Sequence, residues 1–151
     1  MIKVLFVCHG NICRSTMAES VFTHIVKKRG LSDKFQINSA ATSTDEIGSP
    51  PHFGTVNKLK SLEIPLVPHR AVQITNQDFK DYDYIIAMDS QNIKNLAKFT
   101  DFDAQKTFKL LSFAGLDRDI ADPWYSGDFD KTYDDIMLGL EGFLKELKFI
   151  F

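Results

Sequence analysis

At 151 residues, with 44% hydrophobic and 25% charged side chains, the chain has the make-up of one globular domain that buries a substantial core. A formal net charge of -2 gives no reason to expect nucleic acid or an anionic membrane as partner. No apolar run reaches membrane-spanning length or forms a signal-peptide core, and two cysteines five residues apart make neither a disulfide framework nor a zinc cluster. A cytoplasmic protein is therefore expected, with export by a non-signal route as the alternative.

The chain opens on Val4-Leu5-Phe6-Val7, an apolar run that reads as a buried strand. Ala18, Val21, Phe22 and Ile25 then recur at helical spacing, with Thr16 and Glu19 placed as a capping box at the start. Lys27, Lys28 and Arg29 before Gly30 close that helix with positive charge in its last turn. Phe35 and Ile37 lead a second short strand into Ser39. After a polar loop with Gly48, Pro50 and Pro51, a helix is expected around Val56, Leu59 and Leu62. Tyr84 to Met88 reads as a third strand, Ile93, Leu96 and Ala97 as a helix, and Phe108, Leu110 and Leu111 as a fourth strand. A long mixed loop from Ser112 to Asp128 precedes a closing amphipathic helix, with Tyr133, Ile136, Leu140, Phe143, Leu144 and Leu147 on one stripe.

Strands separated by helices imply an α/β fold: one domain over 1–151, with a four-stranded parallel sheet flanked by helices on both faces. In such sheets the ligand site lies outside the carboxyl ends of the strands. The loop after the first strand, Ser39 and the segment after Met88 all converge at that end.

The loop from Cys8 to Ser15 reads CHGNICRS. A loop at a strand-to-helix junction aims backbone N–H groups, and the positive end of the helix, at one point. Cys8 at its base is placed where a thiolate is stabilised, and Arg14 offers a planar fork suited to two phosphate oxygens. Gly10 permits a tight loop, and Asn11 tolerates positive φ better than most residues. A Cys-to-Arg spacing is a weak signal by itself, and a cysteine after an apolar strand is often only filler. Strand, loop residues and guanidinium together shift the balance to phosphoryl transfer through a cysteine. Neither GxGxxG nor GxxxxGK[ST] occurs, which argues against a nucleotide-binding domain.

With these residues in view, the chain resembles the low-molecular-weight protein tyrosine phosphatases over nearly its whole length. The matching segments are the CxGNICRS loop, Met17-Ala18-Glu19, Asn38 through Thr42, and His69-Arg70-Ala71 with Gln73. Tyr84 through Met88 with Asp89, and Asp122-Pro123-Trp124-Tyr125 with Gly127, complete them. The resemblance implies a flavodoxin-like, phosphotyrosine phosphatase I-like fold, with Cys8 as nucleophile and Arg14 as phosphate clamp. It makes Asp122 the general acid and then the base, a choice that local pattern cannot make with Asp117 and Asp119 so near. It sets His9, Gly10, Asn11, Ile12, Cys13 and Ser15 around the phosphate, and Ile12, Asp45, Trp124 and Tyr125 around the substrate ring. Ser15 would hold the Cys8 thiolate, with Asn11, Ser39 and His69 supporting the loop. Cys13 matches a position that forms a reversible disulfide with Cys8 under oxidation.

The activity implied is hydrolysis of phosphotyrosine in protein substrates, and of small aryl phosphates, through a phosphocysteine. The resemblance implies no metal and no cofactor, and a monomer with a weak dimer as the alternative. Relatives that act on phosphoarginine tend to carry Thr where Ile12 stands, which favours phosphotyrosine over a protein-arginine phosphatase. A thioredoxin-coupled arsenate reductase would need cysteines beyond Cys13, and the sequence has none. A cysteine phosphoryl carrier would not need Arg14 together with a general acid. Three positions depart from the family pattern: His9 for an apolar residue, Thr16 for a frequent proline, and Asp45 where eukaryotic members are often aromatic. His9 and Asp45 bear on substrate preference rather than on the chemistry, and Thr16 is a mild change at a helix N-terminus.

Overall fold

Four strands run parallel in the order β2-β1-β3-β4, comprising β1 (Ile2–Cys8), β2 (Phe35–Ala41), β3 (Tyr84–Ala87) and β4 (Thr107–Lys109). The structure, a computed structural model, describes residues 1–148, so the last three residues of the expected 1–151 domain lie outside the described residues. β1 is central, pairing with β2 from Ile2↔Phe35 to Cys8↔Ala41 and with β3 from Val4↔Tyr84 to Val7↔Ala87. A central parallel strand is covered on both faces, which is why its sequence is a continuous apolar run rather than an alternating one.

The helices are α1 (Arg14–Lys28), α2 (Phe53–Ser61), α3 (Asn76–Asp81), α4 (Ser90–Leu96), α5 (Pro123–Ser126) and α6 (Phe129–Glu146). Side chains of β1 alternate between two cores. Val4, Phe6 and Cys8 pack with Phe22 of α1 and Phe143 of α6, while Leu5 and Val7 pack with Phe79 of α3 and Leu96 of α4. Helices therefore cover both faces, as expected. Phe22 sits at the centre of the first core, with ring centroids 5.8 Å from Phe6, 5.1 Å from Phe35 and 5.6 Å from Phe143. The strand period puts the Cys8 side chain on the α1 side, at the carboxyl edge where α1 begins.

Two expectations are corrected. Thr16 and Glu19 form no capping box, because α1 already begins at Arg14 with Cys13 as its uncapped N-cap. Thr16 Oγ1 instead donates to the Cys13 carbonyl, and buried Glu19 accepts a hydrogen bond from Ser39 on β2. The fourth strand ends at Lys109, and Leu110 and Leu111 turn into a 3-10 helix, Leu110–Ala114. That turn is buried against α6, where Gly142 leaves room for it; a Cβ there would lie 2.3 Å from the Phe113 carbonyl oxygen. Short α3 was not foreseen, although Thr75 and Asp78 give it a complete capping box. Among the described residues, no helix is long and apolar enough to cross a membrane.

Candidate active site

β1 delivers Cys8 to the carboxyl edge, and residues 9–13 loop over to the start of α1. Asn11 turns the loop in the left-handed region, at φ 59°, and is fully buried. Its side chain is the loop's internal brace. Nδ2 donates to Ser15 Oγ at 2.8 Å and to Ser39 Oγ at 2.9 Å, while Oδ1 accepts from Val72 N at 3.2 Å and meets His69 Nε2 at 2.6 Å. Ser15 Oγ in turn lies 3.0 Å from Cys8 Sγ. Among the described residues, the amides of residues 10–13 donate no turn, cap or loop hydrogen bond, and α1 has no side-chain cap. A helix start leaves its first amides without intrahelical acceptors, so the loop presents a set of donors suited to an anion.

Arg14 is only 2% exposed and is held on one side of this loop. Its Nη1 donates to Asp89 Oδ2 at 2.6 Å and to the Ile120 carbonyl at 2.8 Å, and Nη2 donates to Asp122 Oδ2 at 3.4 Å. Its Nε is one of two buried side-chain polar atoms without a hydrogen-bond partner among the described residues, the other being Thr42 Oγ1. Burial works against the guanidinium charge, but Cys8, Asp89 and Asp122 together raise its pKa further. Arg14 is thus a fixed cation with a donor to spare. Asp89 caps α4 with its other oxygen, accepting from Asn92 N at 2.7 Å, so one carboxylate orients both the helix and the guanidinium.

Geometry separates the three aspartates that local sequence could not. Asp117 points fully into solvent. Asp119 is taken by Lys109 at 3.0 Å and by Ser90, and these hydrogen bonds pull its pKa down against the effect of burial. Asp122 alone of the three lines the same cleft as Cys8. It caps α5, with Oδ1 accepting from Trp124 N at 3.0 Å, and its side chain is 25% exposed.

Behind the loop, Ser39 Oγ donates to Glu19 Oε1 at 2.6 Å and lies 3.3 Å from His69 Nε2. Burial raises the Glu19 pKa to about 7, despite the Ser39 hydrogen bond, and burial lowers that of His69. Their approach of 3.8 Å is therefore between two groups each driven toward neutrality, not a strong ion pair. Cys13 is buried, and its carbonyl accepts from Thr16 and Thr55. Burial first, then the charges of Cys8 and Asp122, push its thiol up to about 12. Both cysteines are free thiols.

The cleft measures about 200 Å³, smaller than cavities that enclose drug-sized ligands and on the scale of one side chain. It is lined by Cys8, Gly10 and Cys13, by Ile12, Trp124 and Tyr125, by Asp122, and by His9, Asp45 and Glu46. His9 Nε2 lies 2.8 Å from Asp45 Oδ2, and the Ser43 amide and hydroxyl both donate to the His9 carbonyl. His9 and Asp45 are thus one contact, which sequence reading treated as two separate departures. Asn11, Ser15, Ser39 and His69 form a single network behind the cleft. Sequence pattern assigns no site role to Glu46, to the Ile120 carbonyl, to Asp89, whose segment carries the resemblance, or to Glu19, which it places in a capping box.

Residues 3–149 match the family model described as low molecular weight phosphotyrosine protein phosphatase. The low molecular weight protein-tyrosine-phosphatase YfkJ of Bacillus subtilis is 41% identical over 151 residues, covering 98% of this chain and 97% of the relative. The low molecular weight phosphotyrosine protein phosphatase of Rattus norvegicus is 38% identical over 150 residues, covering 95% and 94%. The crystal structure of YfkJ aligns with a TM-score of 0.93 at 40% identity, over 98% of this chain and 95% of that one. That of DARP, a drosophila arginine phosphatase, aligns with a TM-score of 0.88 at 36% identity, over 97% and 98%.

Proposed function

The chain belongs to the low molecular weight phosphotyrosine protein phosphatase family, and from that membership we propose that it hydrolyses protein phosphotyrosine through a phosphocysteine on Cys8. The observation that carries this reading is Arg14: a buried guanidinium with an unpartnered Nε, beside a loop of uncapped amides and a cysteine.

In the first displacement Cys8 Sγ attacks phosphorus, forming the S–P bond as the P–O bond to the tyrosine ring breaks. A tyrosine oxygen has a pKa of about 10, so its expulsion as an anion near neutrality is slow. Asp122 supplies the proton to that oxygen. Arg14 and the loop amides take the charge that gathers on the equatorial oxygens, from donors already fixed in place. In the second displacement the Asp122 carboxylate accepts a proton from water as the water oxygen attacks phosphorus. The S–P bond breaks, inorganic phosphate leaves, and the cysteine is regenerated. Ile12 and Trp124 give the leaving ring an apolar slot, which suits an aryl group better than a guanidinium. The setting of this reading is a cytoplasmic monomer acting on phosphoproteins.

Pre-steady-state hydrolysis of p-nitrophenyl phosphate in EDTA, with Cys8→Ser beside the wild type, tests the reading. Turnover that vanishes in the variant is expected. A single stoichiometric burst without turnover would mark a phosphoryl carrier, and no release at all would remove the phosphatase assignment. The likeness to DARP makes protein-arginine phosphatase the second reading, and kcat/KM on phosphotyrosyl against phosphoarginyl peptides decides between them.

A further inference from the structure

At the edge of the cleft, Trp124 joins three rings that do not line it, His52, Phe53 and Phe129, in one cluster. His52 is the N-cap of α2, its Nδ1 accepting from Gly54 N at 3.0 Å. Its own amide donates to the carbonyl of Ile12, in the phosphate loop, at 2.8 Å. The imidazole stacks on Phe53, at 4.3 Å between centroids, and on Phe129, at 5.4 Å, and meets Trp124 edge-on at 5.5 Å and 76°. Phe129 in turn packs against Ile12, Cys13 and Ala71. Gly54 is what lets Phe129 in, since a Cβ there would lie 2.3 Å from its ring. The start of α2, the phosphate loop and the α5–α6 segment therefore come together at one imidazole.

Trp124 is 55% exposed, on a helix of four residues, and among the described residues His52 is the one ring in contact with it. Its amide is the group that Asp122 Oδ1 accepts from. We propose that His52 is a positioning residue for the proton-transfer step: its ring sets Trp124, and the Trp124 amide sets the Asp122 carboxyl over the cleft. This rests on the reading of Asp122 as the general acid. The imidazole has a second attachment, the cap to Gly54, so the two contributions must be separated.

Two substitutions separate them. His52→Asn keeps an acceptor for the Gly54 amide and removes the ring, whereas His52→Phe keeps a ring and removes the acceptor. Both are compared with Asp122→Asn and the wild type, using kcat/KM on phenyl phosphate, a poor leaving group, and p-nitrophenyl phosphate, a good one. Trp124 is the sole tryptophan, so its emission and iodide quenching report its own packing. An edge-to-face contact of ordinary strength implies that His52→Asn loses about 3- to 10-fold on phenyl phosphate. Its loss on p-nitrophenyl phosphate stays within about twofold, Trp124 becomes more accessible to iodide, and His52→Phe restores both readouts. Equal losses on the two substrates, or rescue by His52→Asn rather than His52→Phe, would mean the cap alone matters and would overturn the proposal. Unchanged Trp124 quenching in His52→Asn would overturn it too. If Asp122→Asn itself shows no leaving-group dependence, the acid assignment fails first and this inference with it. A dependence in Asp122→Asn that is absent from His52→Asn removes this inference alone.

Discussion

Asp89→Asn tests whether Arg14, the proposed phosphate clamp, is held by charge. Asp89 Oδ1 caps α4 at 2.7 Å, and Oδ2 receives Arg14 Nη1 at 2.6 Å. Asparagine keeps one oxygen, which serves the cap, and turns an amide NH2 toward the guanidinium, donor against donor. Stripping one partner from a fully buried ion pair costs about 3–5 kcal/mol, and a hydrogen bond to a charged group is worth about 1.5–3 kcal/mol. Arg14 is 2% exposed but Asp89 is 19% exposed, and Arg14 retains the Ile120 carbonyl and Asp122, so the lower range applies. A loss of about 2 kcal/mol in unfolding free energy follows, measured by urea denaturation. If the same loss is felt by the transition state, kcat/KM for p-nitrophenyl phosphate falls roughly 30-fold. Competitive inhibition by inorganic phosphate should weaken as well, since in the proposed mechanism Arg14 meets the anion in both ground and transition states. Asp89→Ala should cost about 1 kcal/mol more in stability, by removing the cap. Activity within about threefold of wild type and stability within about 0.5 kcal/mol would refute the reasoning, and leave the Ile120 carbonyl as the true anchor.

Burial raises Glu19 from 4.5 to about 7, so folding favours its protonated form. Its contribution to stability is full below the unfolded pKa and is lost as pH rises through about 7, by about 3 kcal/mol at most. Glu19→Gln should flatten the fall in unfolding free energy between about pH 4.5 and about pH 7, and an unchanged slope would contradict the assignment. Asp45→Asn frees the exposed His9 imidazole at the cleft mouth; the melting temperature should hold within about 1 °C while kcat/KM shifts toward phosphopeptides with acidic flanks, less so at high salt. Equal kcat/KM changes for acidic and basic peptides would show that the rim does not select by charge. Gly142→Ala drives a Cβ into the Phe113 carbonyl, and overpacking of about 1–3 kcal/mol outweighs about 1 kcal/mol of helix propensity. A lower melting temperature is expected, and a higher one would show that the 3-10 turn yields.

What sequence reading captured and what it lost divide along physical lines. β1 was legible because a central parallel strand must be apolar on both faces, and α6 because eighteen residues show their period. α3 and α5, with six and four residues, are too short to show one. Leu110 and Leu111 are buried in either reading, so their apolarity could not tell a strand from the 3-10 turn that meets α6. The braces of the site join residues far apart in sequence, Arg14 to Asp89 across 75 positions and Asn11 to Ser39 across 28. Only the fold pairs them. The misplaced capping box is of another kind. Thr16 and Glu19 satisfy the local rule for a helix start, yet α1 begins earlier, at Arg14, with no side-chain cap on its first amides. Within Cys8–Ser15 a buried asparagine at positive φ, an uncapped helix and a guanidinium with a spare Nε together forgo ordinary stabilisation. A bound oxyanion would return it by mass action, about 2.7 kcal/mol when its concentration is about a hundred times Kd. Inorganic phosphate should therefore raise the melting temperature in proportion to its logarithm. A melting temperature unmoved by saturating phosphate would mean that these donors are satisfied within the protein, and the loop would then not be an anion site.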